Sequence, residues 1–184
     1  MRAAGGRRLG QSGAFRLCHP GSSSGKPGSS HGAAGRQLGF HPAPARNLPA
    51  SIFPCCDFIT PNETEAEILT GIRVTTRAGA ERAADALLAL GVRNVIVTLG
   101  SEGVLVKNST IVAHIPAFDA GPVVETTGAG DAFTGGLAVA LAEGKDVLQA
   151  ARFGCAVAGL SVTRPGTAPS MPTRPEVDAL LNQP

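Results

Sequence analysis

Glu125-Thr126-Thr127-Gly128-Ala129-Gly130-Asp131-Ala132-Phe133 places a Gly-Ala-Gly-Asp turn at the head of an apolar run. Gly128 and Gly130 flank Ala129, an acid follows at once, and apolar residues at helical spacing come next: Phe133, Leu137, Val139, Ala140 and Leu141. Such a turn opens a helix whose first N–H groups have no intrahelical partners, and the helix dipole adds positive potential there. A phosphate fits that place, and glycine lets it come close because no side chain intervenes. A carboxylate at the first helical position, Asp131, can take a proton from a hydroxyl attacking phosphorus. The same residues also suit an ordinary Gly-rich turn with Asp131 near the N-cap.

Outward from this turn the pattern is regular. Residues 57–60 read as a short strand. Asn62 caps a helix running to about residue 70, with Glu65 completing a capping box and Gly71 as its stop. Residues 76–90 form an amphipathic helix with Ala80, Ala83, Ala84, Leu87 and Leu88 on one face. Val95-Ile96-Val97-Thr98-Leu99 is a continuous apolar run, the mark of a strand buried on both faces. A turn at 100–103, a strand at 104–106, a turn at 107–109 and a strand at 110–115 predict antiparallel strands at a sheet edge. Val123-Val124 reads as a strand end leading into the Gly128 turn, and helices follow at about 131–143, 146–162 and 174–182. This order predicts an α/β fold with helices on both faces of the sheet. Ligands of such sheets sit beyond the carboxyl ends of the strands. Thr98-Leu99-Gly100 and Thr126-Thr127-Gly128 are therefore expected to converge on one nucleotide.

The string around Asp131 resembles the signature of the ribokinase-like (phosphofructokinase-B) sugar kinase family. Asp57-Phe58-Ile59-Thr60-Pro61-Asn62-Glu63-Thr64-Glu65-Ala66-Glu67 resembles the family's N-x-x-E segment, and Thr98-Leu99-Gly100-Ser101-Glu102-Gly103 its nucleotide-side turn. His41-Pro42-Ala43-Pro44-Ala45-Arg46 and the V-T-R-P-G-T-A-P-S run that starts at Val162 agree with it. The resemblance extends from about residue 41 to the C-terminus and covers the C-terminal half of a family member. It implies a three-layer α/β/α ribokinase-like sheet, incomplete, without the N-terminal half and lid.

The resemblance also implies roles. Asp131 would be the base on a sugar hydroxyl, with the N–H groups of Gly128, Ala129 and Gly130 as the anion hole. D-ribose, phosphorylated to D-ribose 5-phosphate, is the implied reaction, and another sugar or a nucleoside is an alternative. Glu65 would order the water shell of Mg²⁺, with Asn62 near the phosphates of ATP. This pair is equally an ideal capping box. Thr98, Gly100, Ser101 and Gly103 would line the nucleotide. Gly154 and Cys155 would border the adenine, and a helix-packing role suits them as well. A monovalent cation, K⁺, is implied beside the anion hole. Its ligands would be Glu125 and Thr127, carbonyls of Ser161, Arg164 and Gly166, and the hydroxyl of Ser170. Position 125 is usually Asp in the family, and His41 stands where Asn is usual. The family's early sugar-binding acid, G-G-K-G-A-N stretch and β-lid have no counterpart in the sequence. A nucleotide-binding remnant without turnover is therefore the competing expectation. Full-length members are expected to be homodimers.

Composition supports a globular bulk: 43% of residues are hydrophobic and 16% charged. No run approaches 18 uncharged apolar residues, so no membrane span is predicted. The net charge of +2 hides a split. Residues 1–56 hold seven Lys and Arg and no acid, whereas residues 57–184 hold nine against 14 acids. The domain reading is thus a segment at 1–39, expected to be disordered, followed by the kinase half at 40–184. The arginines of the segment are scattered without aromatic partners, which disfavours nucleic-acid binding. A transit peptide fits the Arg and Ser content but not the Gly and Pro load. A GC-rich gene read in the wrong frame, or a misplaced start, fits best. Gly21-Ser22-Ser23-Ser24-Gly25-Lys26-Pro27 superficially resembles a P-loop, but it has three residues between the glycines and Pro where Ser or Thr should hold magnesium. Cys18, Cys55, Cys56 and Cys155 show no metal-ligand spacing, and a reducing cytoplasm is expected.

Overall fold

The computed structural model describes residues 48–183, together with the backbone of two strands, β1 (Ala14–Cys18) and β2 (Arg36–Phe40). The sheet continues through β3 (Phe58–Ile59), β4 (Asn94–Thr98), β5 (Val104–Asn108) and β6 (Val112–Ile115). Its six strands lie in chain order, each beside its sequence neighbour. Pairing is parallel from β1 to β4 and antiparallel from β4 to β6. Helices α1 (Glu63–Thr70) and α2 (Arg77–Ala89) connect β3 to β4, since a parallel pair needs a crossover of a dozen residues or more. Helices α3 (Ala129–Ala142), α4 (Val147–Ser161) and α5 (Arg174–Leu181) follow the antiparallel strands.

β4 explains the layering. Val95, Ile96 and Val97 are each 0% exposed. Successive side chains of a strand point to opposite faces. Val95 and Val97 join Ala66, Ala80, Ala84 and Leu87 of α1 and α2 in one core. Ile96 joins Phe133, Leu137, Ala151 and Phe153 of α3 and α4 in the other. The expected α/β/α arrangement is what the structure has.

Three stretches differ from the sequence reading. Lys107, expected in a turn, is the fourth residue of β5 and lies opposite Val95. It is buried, and its ammonium is 3.0 Å from the Glu81 carboxylate and 2.8 Å from that of Asp85 on α2. Asp85, ahead of Glu81, holds that ammonium above the usual lysine range, although burial opposes it. The turn falls instead at 108–111, where Asn108 Oδ1 accepts the N–H groups of Thr110 and Ile111. β6 accordingly begins at Val112, two residues later than expected. Val123 and Val124 form no strand and are exposed. The segment expected to be disordered contributes β1 and most of β2 to the sheet. Parallel pairing is a main-chain interaction, and composition alone does not register it. The remaining positions of that segment, the P-loop-like run, and His41 to Arg46 lie outside the described residues.

α3 and α4 cross closely because two glycines face the partner helix. A Cβ on Gly154 would lie 2.8 Å from the Phe133 carbonyl oxygen, and one on Gly136 would lie 2.8 Å from Val157 Cγ2. Gly154→Ala gains about 1 kcal/mol of helix propensity. Overpacking against a backbone carbonyl costs about 1–3 kcal/mol. The net expectation is a loss of stability, read as a lower urea midpoint. An unchanged midpoint would show that the helices can part without cost.

Candidate functional site

The carboxyl ends of β3 and β4 and the N-terminus of α3 meet at one edge of the sheet. Thr60, just past β3, precedes Pro61 and Asn62. Asn62 bridges Thr98 at the end of β4 in parallel fashion, and Thr98 N–H donates to the Pro61 carbonyl at 2.9 Å. Asn62 caps α1: its Oδ1 accepts the Glu65 N–H at 2.9 Å, and Glu65 Oε2 accepts the Asn62 N–H at 2.9 Å. Two N–H groups that the helix cannot use are thereby satisfied. Glu65 is buried, an unusual place for a carboxylate, and this reciprocal bond is what compensates it.

The Gly128 turn reaches the same place through α3. Gly128 is the N-cap at φ +84°, a left-handed conformation that favours glycine. No side chain caps the helix, so its first turn keeps the donors that a cap would have taken. α3 starts at Ala129, two residues earlier than expected, which puts Asp131 inside the first turn. Ala129 N–H donates to the Thr126 carbonyl at 3.1 Å, so an anion seated here competes with that oxygen for the donor. Asp131 is exposed. Thr134 follows it by three residues and lies on the same helix face. The Thr134 hydroxyl is 3.4 Å from that of Thr60, and both residues are buried. This contact joins the helix of Asp131 to the strand end that leads into Asn62 and Glu65.

The turn after β4, expected on the nucleotide side, completes this edge. Residues Gly100–Glu102 form a single 3-10 turn, and Gly100 and Ser101 are exposed. A Cβ on Gly100 would lie 4.0 Å from Glu63 Oε1, so the turn sits beside the first residue of α1. Gly103 has φ +95° and no room for a side chain: a Cβ there would lie 2.1 Å from the Ile115 carbonyl oxygen.

Among the residues of the expected monovalent-cation site, Glu125 and Gly166 are joined by a direct hydrogen bond. Val124 and Glu125 N–H groups donate to the Val162 carbonyl at 2.8 and 3.1 Å. Gly166 N–H donates to Glu125 Oε2 at 2.7 Å. The Ser161 carbonyl accepts the Arg164 N–H, and the hydroxyls of Ser161 and Ser170 donate to the carbonyls of Ala158 and Thr167. The Arg164 guanidinium is held by Glu176, and with the N–H and hydroxyl of Thr173 it brings that carboxyl down to about 2. Thr127 is exposed. Thr167 packs on the Gly128 turn, its Cγ2 being 3.2 Å from where a Gly128 Cβ would be. Among the described residues no group of three or more His, Cys, Asp and Glu side chains could hold a metal. A concavity lined by Asp119, Leu160, Glu176, Leu180 and Gln183 contains neither Asp131 nor any residue of 60–65, 98–103 or 128–131.

Cys155 lies in the core between α3 and α4, and burial pushes its thiol up to about 12. Cys55 is exposed, whereas Cys56 is buried. Thr60, Glu63, Thr134 and Thr167 were not singled out as functional by the sequence. Thr134 carried one signal, its three-residue distance from Asp131. Thr60 and Thr134 are 74 residues apart, and pairing them required the fold.

A family model, pfkB family carbohydrate kinase, matches residues 37–174. The ribokinase of Haemophilus influenzae is 43% identical over 142 residues, which are 77% of this chain and 46% of that protein. The deoxyribokinase of Salmonella typhimurium is 40% identical over 156 residues, 84% of this chain and 50% of the relative. The structure of Arabidopsis thaliana ribokinase complexed with ribose and ATP aligns with a TM-score of 0.78 at 35% identity, over 81% of this chain and 48% of the other. The chain spans about half the length of the curated relatives it matches. Among the described residues no helix is long and apolar enough to cross a membrane.

Alkylation of the native protein at pH 8 is expected to label Cys55 and spare Cys155 until denaturant is added, as peptide mass mapping would show. Labelling of native Cys155 at the rate of Cys55 would mean that the crossing of α3 and α4 opens readily.

Proposed function

Because the chain belongs to the pfkB family of carbohydrate kinases, we propose that it carries the nucleotide-binding and general-base half of an ATP-dependent sugar kinase. The acceptor is D-ribose and the products are D-ribose 5-phosphate and ADP. The observation that carries this reading is the Thr60–Thr134 contact, which sets the Asp131 helix beside the Asn62–Glu65 cap. A base and a phosphate-side acid then belong to one site.

The proposed chemistry is a phosphoryl transfer that this geometry supports. A sugar hydroxyl attacks the γ-phosphorus of ATP, the bond from that phosphorus to the bridging oxygen breaks, and ADP leaves. The hydroxyl proton passes to the Asp131 carboxylate. Little covalent work falls to the protein, so positioning and electrostatic stabilisation dominate. The first-turn N–H groups of α3 face the transferring oxygens, and the helix dipole favours their charge. Thr98, Gly100, Ser101 and Gly103 offer the nucleotide a wall at the end of β4. Mg²⁺ keeps several of its waters and binds through few carboxylates, which one buried acid can serve. Glu65 is that acid, and Mg²⁺ when bound neutralises phosphate charge. The K⁺ ligands fit less well. Glu125 already gives an oxygen to Gly166 N–H, and the Ser161 carbonyl already accepts from Arg164, so no step is assigned to a monovalent cation.

A second reading rests on the exposure of Asp131. Water exclusion assists such transfers, so an exposed base favours nucleotide binding with little turnover. ADP release by the chain, with and without ribose, separates the two. Asp131→Asn is expected to lower ribose-dependent release by roughly 10²–10⁴-fold and to leave ATP affinity nearly unchanged. Equal turnover in that variant would remove Asp131 from the reaction. ATP binding with no ribose-dependent release from the unaltered chain would establish the second reading.

Glu65→Gln is expected to raise the Mg²⁺ concentration needed for nucleotide binding, since an amide orders metal-bound water less well. Its far-UV circular dichroism should stay unchanged, because Gln also closes a capping box. An unshifted magnesium titration would leave Glu65 with the cap alone.

A further inference from the structure

We propose that His114 is a positioning residue for the nucleotide-side turn: its ring pins the Glu102 carbonyl and so fixes how the backbone of residues 100–103 faces a bound nucleotide. The proposal rests on the kinase reading above. His114 Nε2 lies 2.7 Å from the Glu102 carbonyl oxygen. A carbonyl oxygen only accepts, so this nitrogen carries the proton.

His114 stands opposite Leu105 in the β5–β6 ladder, and Leu105 belongs to the core under α1 and α2. Cross-strand partners share a face, which puts the imidazole on the side of the sheet where α1 and α2 begin. The neighbouring residues of β6 grip the turn as well. A Cβ on Gly103 would lie 2.1 Å from the Ile115 carbonyl oxygen and 2.5 Å from Ala117 N, so turn and strand touch backbone to backbone. The turn's own bonds are Leu99 N–H to the Gly103 carbonyl at 2.8 Å, Glu102 N–H to the Leu99 carbonyl at 3.0 Å, and Gly103 N–H to the Gly100 carbonyl at 3.2 Å. Gly100, Ser101 and Glu102 are exposed and bury nothing that would hold them. The Arg77–Glu102 ion pair is 3.9 Å long with both side chains more than half exposed, a type that contributes little. The histidine bond is shorter than any of these. It ties a turn at the end of β4 to a strand two places along in the sheet. Its loss would let the peptide at Glu102 rotate, and a rotated peptide turns its dipole away from a ligand held by backbone groups.

The test compares His114→Phe, which keeps a planar aromatic ring and deletes the donor, with His114→Gln, which keeps an N–H donor of similar reach. Calorimetric titration of each full-length chain with Mg–ATP is run beside amide hydrogen exchange at Glu102 and Gly103. The Phe variant is expected to bind ATP about three- to tenfold more weakly, the range of one net hydrogen bond. It should also exchange the Gly103 amide several-fold faster, while its thermal midpoint holds. Gln should recover most of both effects. Equal affinity and exchange in the Phe variant and the unaltered chain would overturn the proposal, as would equal weakening by both variants together with a lower thermal midpoint. No ATP binding by the unaltered chain would overturn the kinase reading and this proposal with it. Binding that is indifferent to residue 114 overturns this proposal alone.

Discussion

Val95, Ile96 and Val97 lose all contact with water from both sides of the sheet at once. Each is worth about 1.5–3 kcal/mol when fully buried, and because their side chains alternate between the faces, helices on one side alone cannot bury all three. The chain must therefore lay helices on both faces, α1 and α2 over Val95 and Val97, α3 and α4 over Ile96. Everything at the functional edge follows from that. α1 and α3 begin near the carboxyl ends of β3 and β4, the first with the capping acid Glu65 and the second with no side-chain cap. Asn62, Glu65 and the Gly128 turn are gathered at one edge because the core is two-sided.

Within that frame, two small-residue contacts set the fine geometry. Gly136 and Gly154 let α3 and α4 approach until backbone meets side chain, which fixes the tilt of α3. Thr60 and Thr134 then fix its height over β3. Asp131 lies one turn above Thr134, so its position is inherited from packing that involves no ligand. Gly128 contributes by absence. With no capping side chain and a left-handed backbone, it leaves the first turn of α3 uncapped where the other helices carry Asn62, Thr76, Asp146 and Thr173 as N-caps. An uncapped N-terminus at the carboxyl edge of an α/β sheet is the local departure from self-sufficiency that a ligand site requires.

Much of this was legible from residue order. The run 95–99, the Asn62–Glu65 box and the helix of Ala80 to Leu88 signal themselves through period and capping chemistry, which are local. Lys107 was misread because a charge after three apolar residues looks like the end of a strand. Its two acids sit 22 and 26 residues upstream on α2. The start of α3 moved by two residues because Ala129 N–H finds the Thr126 carbonyl, a bond that no periodicity announces. Val123 and Val124 have strand-like side chains but hydrogen-bond the end of α4 through Val162 instead of the sheet. β1 and β2 lie in a stretch whose composition argued for disorder, and ladder bonds do not depend on composition. The Thr60–Thr134 pair was invisible for the plainest reason: threonine is common and the two are far apart in the chain.

The central claim is that three separated segments, 62–65, 98–103 and 128–131, form one nucleotide site. Amide chemical shifts of the isotope-labelled chain, followed during a titration with Mg–ATP, test it most directly. The account predicts that amides of all three segments shift together along one saturation curve, while those of α5 stay still. Shifts confined to one segment, or segments that saturate at different concentrations, would contradict it.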